Sequence, residues 1–300
     1  MSDTRAAPSA SWTQRPERGS LTLVRLMARL SLALGRGPSR VLLLIATAYF
    51  YVASPAARRH VAAFLRRALG RESRLGERFA NFLTFATTIH DRIFFLAGRA
   101  ELFDVRVHGA EPLQGNAGAI LLGSHVGSFE ALRSAGHHHG HRRVAMAMYE
   151  EAARRLNSVL AELNPAAVDD VVPLGHVGSM LALGERLEAG DLVGILADRT
   201  LGAEPVVHMP FLGEPAAFPT GPMRVAAALR QRVFLMMGLY RGGNRYDVFF
   251  EPLADFSNVD RQERNAMIDE AMRRYVARLE HYVRLAPDNW FNFHDFWGKP

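Results

Sequence analysis

The chain has 300 residues, of which 49% are hydrophobic and 22% are charged, and it carries a net charge of +6. This size and composition predict one sizeable folded domain with at most a smaller appendage, and they exclude a disordered chain or a membrane protein with many spans. The absence of cysteine excludes disulfides, thiol catalysis and zinc sites built on sulfur.

Positive charge is concentrated at the start of the chain, where residues 1–80 contain fourteen arginines and four carboxylates. A basic stretch of this kind can bind nucleic acid or an anionic lipid surface. Apolar residues interleave with the arginines, which favours lipid over nucleic acid. Because Lys299 is the only lysine in the chain, a general preference for arginine explains the enrichment equally well.

The first 54 residues form two regions. Residues 1–19 are a polar lead-in without the features of a secretory signal. Residues 20–54 are predicted to form an apolar helical hairpin, with one helix over 21–34, a break at 35–38 and a charge-free run over 41–54. That run is shorter than the roughly 20 residues that cross a bilayer, so we expect the hairpin to associate with one leaflet of a membrane. A buried core hairpin of a soluble protein is the alternative.

Residues 55–300 are predicted to form an α/β domain with a mostly parallel sheet flanked by helices. Two helices open it, and strand-length apolar runs then alternate with helical segments. The pair within 232–251 is predicted to be an antiparallel hairpin. A last helix leads to an aromatic tail, residues 290–297. The predicted helices cover 55–70, 75–99, 128–136, 150–163, 177–189, 220–230 and 260–285, and the predicted strands cover 103–108, 118–123, 143–148, 170–174, 191–197, 205–211, 232–240 and 245–251.

His125 and Glu130 follow the buried run 118–123 and are five residues apart. A spacing of five turns through roughly 500° on a helix, so the two side chains would not share a helical face. The pattern predicts His125 in the turn after the strand, Ser128 as a helix cap and Glu130 in the first helical turn. Glu130 could then accept one imidazole N–H and leave the other nitrogen free as a base. A purely structural hydrogen bond explains the pair, taken alone, equally well.

Two other groups of histidines carry weaker signals. His-Val-Gly-Ser recurs at 176–179 without a carboxylate five residues after His176, which favours a structural or substrate-shaping role for that histidine. The cluster within 137–141 is interpreted as a solvated helix end, because three consecutive side chains converge poorly on one ion. No phosphate-binding or dinucleotide-binding glycine motif and no Gly-x-Ser-x-Gly elbow occurs. We therefore predict no metal and no cofactor.

Asp198 and Arg199 directly follow the apolar run 191–197. Ligands of open α/β sheets gather beyond the carboxyl ends of strands, which favours a ligand clamp over a structural ion pair at the sheet edge.

The connection that follows leads into a short helix. Gly213 lies in its first part, and Thr220 or Gly221 is expected to begin the helix that carries Arg224, with Pro222 in the first turn. Exposed amides at a helix start can bind phosphate, although the signal here is weak by itself.

Taken together, these motifs resemble the bacterial lipid A biosynthesis acyltransferases of the lauroyl and myristoyl type, within the wider glycerolipid acyltransferase group. The resemblance rests on His125 with Glu130, on Ala-Asp-Arg at 197–199, on Met-Pro-Phe-Leu-Gly at 209–213 and on Pro-Thr-Gly-Pro at 219–222. It spans nearly the whole chain. The first residues and the aromatic tail are more similar to relatives encoded with aryl polyene and other polyketide-like lipid clusters.

The resemblance implies an acyltransferase at the cytoplasmic face of the bacterial inner membrane. His125, oriented by Glu130, would take a proton from a hydroxyl or amine of a lipid or glycolipid acceptor, which attacks the thioester of an acyl carrier protein or coenzyme A donor. The transferred chain would be a fatty or polyene acyl group. Arg199, and after it Arg224, would stabilise the oxyanion or bind an acceptor phosphate. Substrate-binding residues would be Asp198, Arg199, Gly213, Thr220, Gly221 and Arg224.

Two alternatives remain open at the level of the sequence. A thioesterase or lipid hydrolase would use water in place of the acceptor. A lipid-binding scaffold without enzymatic activity would need neither His125 nor Glu130.

Overall fold

The structure is a computed structural model that describes residues 21–140, 143–149, 164, 170–175, 178–200 and 204–298. The polar lead-in, the helix expected at 150–163 and His176 lie outside the described residues. The helices are α1 (Leu21–Leu34), α2 (Arg36–Ala53), α3 (Pro55–Leu69), α4 (Leu75–Leu96), α5 (Phe129–Gly140), α6 (Ser179–Glu188), α7 (Gly221–Ala228) and α8 (Arg264–Leu285). The strands are β1 (Asp104–His108), β2 (Ala119–Gly123), β3 (Val144–Tyr149), β4 (Val171–Leu174), β5 (Leu192–Leu196), β6 (Val206–Phe211), β7 (Glu214–Pro219), β8 (Arg232–Tyr240) and β9 (Arg245–Asp255).

A seven-stranded mixed sheet organises the fold, in the order β1-β9-β8-β2-β5-β3-β4. The strands β8, β2, β5, β3 and β4 are mutually parallel, whereas β9 returns antiparallel to β8 and pairs in parallel with β1. The predicted α/β class and the predicted hairpin within 232–251 are confirmed. The carboxyl ends of the five parallel strands share one edge of the sheet, and the candidate site lies there.

Helices cover both faces of the sheet. Strand β2 is buried along its whole length, with Ile120 and Leu122 in one hydrophobic cluster and Leu121 in another. The first cluster includes side chains of α3 and α8, and the second includes side chains of α4 and α5. Burial on both faces explains why this strand reads as a continuous apolar run instead of an alternating one.

The amino-terminal helices pack against α4 through a buried ion pair. Arg36, at the start of α2, donates two hydrogen bonds of 2.8 Å to Asp91 of α4, and the Tyr246 hydroxyl donates a third of 2.7 Å. Asp91 is fully buried. Because an unpaired charge at this depth would be strongly destabilising, these three hydrogen bonds hold α2 in place against α4 and β9.

The break in the amino-terminal hairpin is shorter than expected. Helix α1 has the predicted bounds, but α2 begins at Arg36, directly after Gly35, whose positive φ of 80° suits glycine. Among the described residues, no single helix has the length and apolar character needed to cross a membrane. Helices α2 and α3 would reach that length only as a pair, and they meet at a bend of 92°.

Several elements differ in extent from the expectations, among them α5, α8 and β9, and β7 was not expected. Helix α5 continues past its predicted end at Gly136 as far as Gly140. Residues 214–219, expected to belong to an irregular connection, form β7, which pairs antiparallel with β6. Pro215 and Pro219 are compatible with this strand, because in a two-stranded ribbon both strands are edges and tolerate proline.

Candidate active site

His125 and Asp198 come together because their strands are neighbours. His125 is two residues beyond the end of β2, and Asp198 is two residues beyond the end of β5. The two strands are parallel and paired, with Gly123 opposite Leu196, and the Ala197 N–H donates to the Gly123 carbonyl at 3.0 Å. Equal offsets from paired strand ends therefore place the imidazole beside the carboxylate.

Asp198 binds His125 through both carboxylate oxygens. Its Oδ1 lies 2.8 Å from His125 Nδ1, and its Oδ2 accepts the backbone N–H of His125 at 3.1 Å. The indole N–H of Trp290 also donates to Oδ2, at 3.2 Å. Asp198 is fully buried, whereas the His125 side chain is 34% exposed. A carboxylate on Nδ1 fixes that nitrogen as the donor, so Nε2 keeps its lone pair for a substrate proton.

The surroundings of the pair set the charge of each partner. Burial lowers the pKa of His125, and the nearby positive charge of Arg199 lowers it further, against the opposing effect of Asp198. For Asp198, burial acts to raise the pKa, but the positive charge that His125 carries when it is protonated, the hydrogen bonds from His125 and the charge of Arg199 lower it more. At neutral pH the imidazole is therefore neutral and the carboxylate ionised, which is the pairing a general base requires.

The turn that carries His125 is held by close backbone contacts. Gly127 has a φ of 64°, and a Cβ there would lie 2.0 Å from the carbonyl oxygen of Gly238 in β8. The Ser128 N–H donates to the same carbonyl at 2.7 Å, and the Ser128 hydroxyl accepts the N–H of Ala131 at 3.2 Å. The prediction that Ser128 caps α5 is confirmed. The turn leaves no space for a side chain at position 127.

Glu130 does not orient His125 in the structure, so this prediction is wrong. Its carboxylate is 4% exposed and faces α4, where the Arg92 guanidinium lies 2.9 Å from Oε1. Arg133, one turn along α5, lies 3.9 Å from Oε2. The physical reason is that Glu130, in the first turn of α5, points from the helix towards α4 and away from the turn that holds His125. Asp198 takes the place expected for Glu130.

Arg199 is held beside the pair by the carboxyl-terminal segment. Its guanidinium donates to the carbonyl of Phe291, whose own N–H donates to the carbonyl of His125 at 2.9 Å. Burial lowers the pKa of Arg199, although Asp198 opposes this effect. Burial and the charge of Arg199 also lower the pKa of His294, in the same segment, to about 4. Arg199 is thus the cation whose field acts on both histidines.

Comparison with known protein families matches residues 100–299 to the family described as bacterial lipid A biosynthesis acyltransferase. The chain belongs to this family. It is therefore an acyltransferase of lipid biosynthesis with an acyl donor and a lipid acceptor as substrates, as the motifs predicted.

Among solved structures, the chain is similar to the 1-acyl-sn-glycerophosphate (LPA) acyltransferase PlsC from Thermotoga maritima. The two share 16% sequence identity with a TM-score of 0.40, over 82% of this chain and 98% of that chain. A search of curated proteins found no match.

The other predicted substrate-binding residues of this acyltransferase lie in the unit formed by β6, β7 and α7. Gly213 is at the exposed tip of the β-hairpin, where its φ of 90° explains the glycine. Thr220 donates to the Pro205 carbonyl at 3.2 Å and accepts from Arg224 Nε at 3.2 Å. Gly221 begins α7, as expected. Within the described residues, no hydrogen bond or ion pair joins this unit to the histidine–aspartate pair, so its role in binding substrate stays a prediction.

Sequence reasoning missed the part played by the aromatic tail. Val126 forms a β-bridge with Trp290, and the Gly127 N–H donates to the Asn289 carbonyl at 2.8 Å. Asn81 of α4 donates to the Trp290 carbonyl at 3.0 Å. The density of aromatic residues after α8 was a visible signal, but nothing in it indicates the partner, which lies more than 160 residues earlier in the chain.

Proposed function

We propose that this acyltransferase is membrane-associated and moves a fatty or polyene acyl chain from an acyl carrier protein or coenzyme A thioester to a hydroxyl or amine of a lipid or glycolipid. His125 is the general base, and Asp198 orients it. The observation that carries the proposal is the partly exposed imidazole bound through Nδ1 to a buried carboxylate at the carboxyl edge of the sheet.

The reaction needs no covalent enzyme intermediate. His125 Nε2 removes the proton from the acceptor hydroxyl as the acceptor oxygen attacks the thioester carbonyl carbon. The tetrahedral intermediate collapses by breaking the carbon–sulfur bond, and the departing thiolate takes the proton from the imidazolium. The products are an ester and a free thiol. The ionised Asp198 stabilises the imidazolium while the intermediate exists.

Arg199 is the first candidate for stabilising the oxyanion. It lies close enough to lower the pKa of His125, and the Phe291 carbonyl fixes its guanidinium in one place. A cation held in position before the reaction stabilises charge that develops on the carbonyl oxygen. Arg224, the second candidate, is exposed on α7 and is better placed to meet a phosphate of the acceptor.

The amino-terminal helices supply the membrane-binding face. Val41, Ile45, Tyr49 and Val52 follow one stripe of α2, and each is between 62% and 70% exposed. A contiguous exposed apolar surface of this kind is unfavourable in water and stable at a lipid interface. We place this face at the cytoplasmic side of the bacterial inner membrane, where lipid acceptor and long acyl chain are both available.

An acidic acyl carrier protein is favoured as the donor by the basic character of α3. Arg58, Arg59, Arg66 and Arg67 lie on this helix, which has no acidic residue in its first turn. Complementary charge of this kind raises the rate of encounter with an acidic partner.

The proposed reaction is tested with dodecanoyl-acyl carrier protein and dodecanoyl-coenzyme A as donors and an extract of inner-membrane lipids as acceptor. Released thiol is measured with Ellman's reagent, which does not react with this cysteine-free chain, and mass spectrometry identifies the acylated lipid. We expect His125→Ala to remove turnover and His281→Ala, at an exposed position on α8, to retain it. Equal thiol release with and without acceptor would refute transfer and show a thioesterase. Full activity of His125→Ala would refute the base assignment.

Membrane association is tested by flotation with vesicles of phosphatidylethanolamine and phosphatidylglycerol. Ile45→Asp together with Tyr49→Asp should move the protein from the floating to the soluble fraction. Leu181→Asp, at a leucine that is also exposed but lies on α6, is the matched control and should float. Recovery of the wild-type protein in the soluble fraction would contradict the proposed face.

A further inference from the structure

We infer that Trp290 is a positioning residue for acyl transfer, acting on the reaction through Asp198 and His125. The inference rests on the proposed function of that pair and assigns a role to a side chain 92 residues away from Asp198. It depends on three observations: the hydrogen bond of the indole, the backbone pairing of the tail, and the packing of the ring.

The indole N–H completes the set of donors around the buried carboxylate. Asp198 Oδ2 accepts from Trp290 Nε1 at 3.2 Å and from the His125 backbone at 3.1 Å, while Oδ1 accepts from the imidazole at 2.8 Å. An indole donates but never accepts and does not titrate. It therefore fixes the plane of the carboxylate and takes up part of its negative charge at every pH.

The backbone of the same residue is tied to the turn that carries the base. Trp290 forms a β-bridge with Val126, and the next residue, Phe291, donates its N–H to the His125 carbonyl. Two successive residues of the tail thus contact the pair: Trp290 contacts Asp198 through its side chain, and Phe291 contacts His125 through its backbone. A shift of the indole would alter both partners together.

Packing removes the freedom of the ring to move. Trp290 is fully buried, and its ring centroid lies 4.8 Å from that of Phe64, 5.3 Å from that of Phe211 and 4.9 Å from that of Phe296, all in edge contacts. Because the side chain is inaccessible, it does not contact substrate, and an effect of Trp290 on turnover passes through Asp198 or through the turn that carries His125. A residue that only positions the catalytic pair is expected to change kcat and to leave KM unchanged when it is substituted.

The same tail contains a matched control. Trp297 packs against Phe211 and Trp290, with centroid distances of 6.0 and 6.1 Å. Its indole nitrogen is buried but makes no hydrogen bond within the part of the chain that the structure describes. Trp297→Phe therefore makes the same indole-to-phenyl change in the same aromatic cluster, at a less buried position, without removing a donor from Asp198.

The first test compares Trp290→Phe with Trp297→Phe in the thiol-release assay with dodecanoyl-acyl carrier protein. Only the first variant loses a donor that fixes the plane of the Asp198 carboxylate and, through it, the orientation of His125. Because a misplacement of about 1 Å can cost about 100-fold in rate, we expect its kcat to fall by about 10-fold to 100-fold with KM unchanged. Trp297→Phe should keep kcat and KM. Equal effects of the two variants on kcat would overturn the inference. If Trp290→Phe does not fold, benzothienylalanine at position 290, which has sulfur in place of the N–H and keeps the ring shape, decides by the same criterion.

The second test requires no turnover. The pKa of His125 is measured by NMR titration of the imidazole, assigned by its absence from the spectrum of His125→Ala. Without the indole donor, Asp198 offers more of its charge to the imidazolium, so the pKa of His125 should rise in Trp290→Phe and stay unchanged in Trp297→Phe. The other charged or titratable groups around the pair, namely Arg199, His294 and Tyr275, are the same in both variants.

The outcomes separate this inference from the proposed function. An unchanged His125 pKa in Trp290→Phe would overturn the positioning role even if His125 is the base. Full activity of His125→Ala would refute the proposed function, while the titration still reports whether the indole acts on the pair.

Discussion

Replacing Asp198 by asparagine should remove most of the turnover while preserving the volume of the side chain. Three N–H groups converge on the carboxylate: the imidazole and the backbone of His125, and the indole of Trp290. An amide has one acceptor oxygen and one NH2 group. In one orientation the amide oxygen accepts from the imidazole, and the NH2 group then faces the backbone N–H of His125 and the indole N–H of Trp290, which are donors as well. In the other orientation the oxygen accepts from those two groups. The NH2 group then faces Nδ1 of His125 and favours the tautomer that carries its proton on Nε2.

Either orientation removes the base. A protonated Nε2 cannot accept a proton from the acceptor, and an NH2 group pressed against two N–H groups displaces the turn. General-base catalysis contributes typically about 10²- to 10⁴-fold. We expect kcat of Asp198→Asn to fall within this range, which corresponds to about 3 to 5 kcal/mol of transition-state stabilisation.

The thiol-release assay compares Asp198→Asn with Glu130→Gln. Glu130 pairs with Arg92 at 2.9 Å and not with the imidazole. Its substitution should therefore lower the melting temperature and leave kcat largely unchanged. Melting temperatures of both variants are measured to separate loss of chemistry from loss of folded protein. The reasoning is refuted if Glu130→Gln loses as much kcat as His125→Ala while Asp198→Asn remains active.

Three further predictions follow from the same structure. Arg199→Gln removes the cation that lowers the pKa of His125, so this pKa should rise. Because only the neutral imidazole is active, the acidic limb of the pH profile of kcat/KM should move to higher pH. An acidic limb at the same pH would contradict this prediction. Asp91→Ala leaves the guanidinium at the start of α2 without its buried partner, and chemical denaturation should show a loss of about 3 to 5 kcal/mol. Gly127→Ala forces a Cβ to within 2.0 Å of a β8 carbonyl oxygen and should remove activity. Gly242→Ala, at a positive φ of 86° but in open space, should lower the melting temperature slightly and leave kcat unchanged.

Most of the secondary structure could be predicted because its signals are local. The strand that precedes His125 was expected at 118–123 and is observed at Ala119–Gly123, and the helix 21–34 has the expected bounds. Strand β7 was missed because proline normally excludes a central strand, and the sequence does not show that the β6–β7 ribbon has only edges.

The partner of the base shows where local reasoning fails. The sequence favours Glu130 because it is near His125, because the repeat at His176 lacks a carboxylate at that spacing, and because the motif resembles that of the acyltransferases. Asp198 had been recognised as a charge at the carboxyl end of a strand, but its position relative to His125 depends on the order of strands in the sheet. The pairing of β2 with β5 decides it.

The sequence by itself determined the class of the fold, the family, and the placement of His125 and Asp198 at the carboxyl ends of two strands. Hydrophobic period and turn residues encode which face of an element is buried and where the element ends, because these depend on neighbours in the chain. Only the tertiary structure decided that these two strands are adjacent, that Glu130 points towards α4, and that Trp290, in the carboxyl-terminal segment of the chain, donates a hydrogen bond to Asp198. Those contacts join residues 73 and 92 positions apart, and no local pattern specifies which distant surfaces meet.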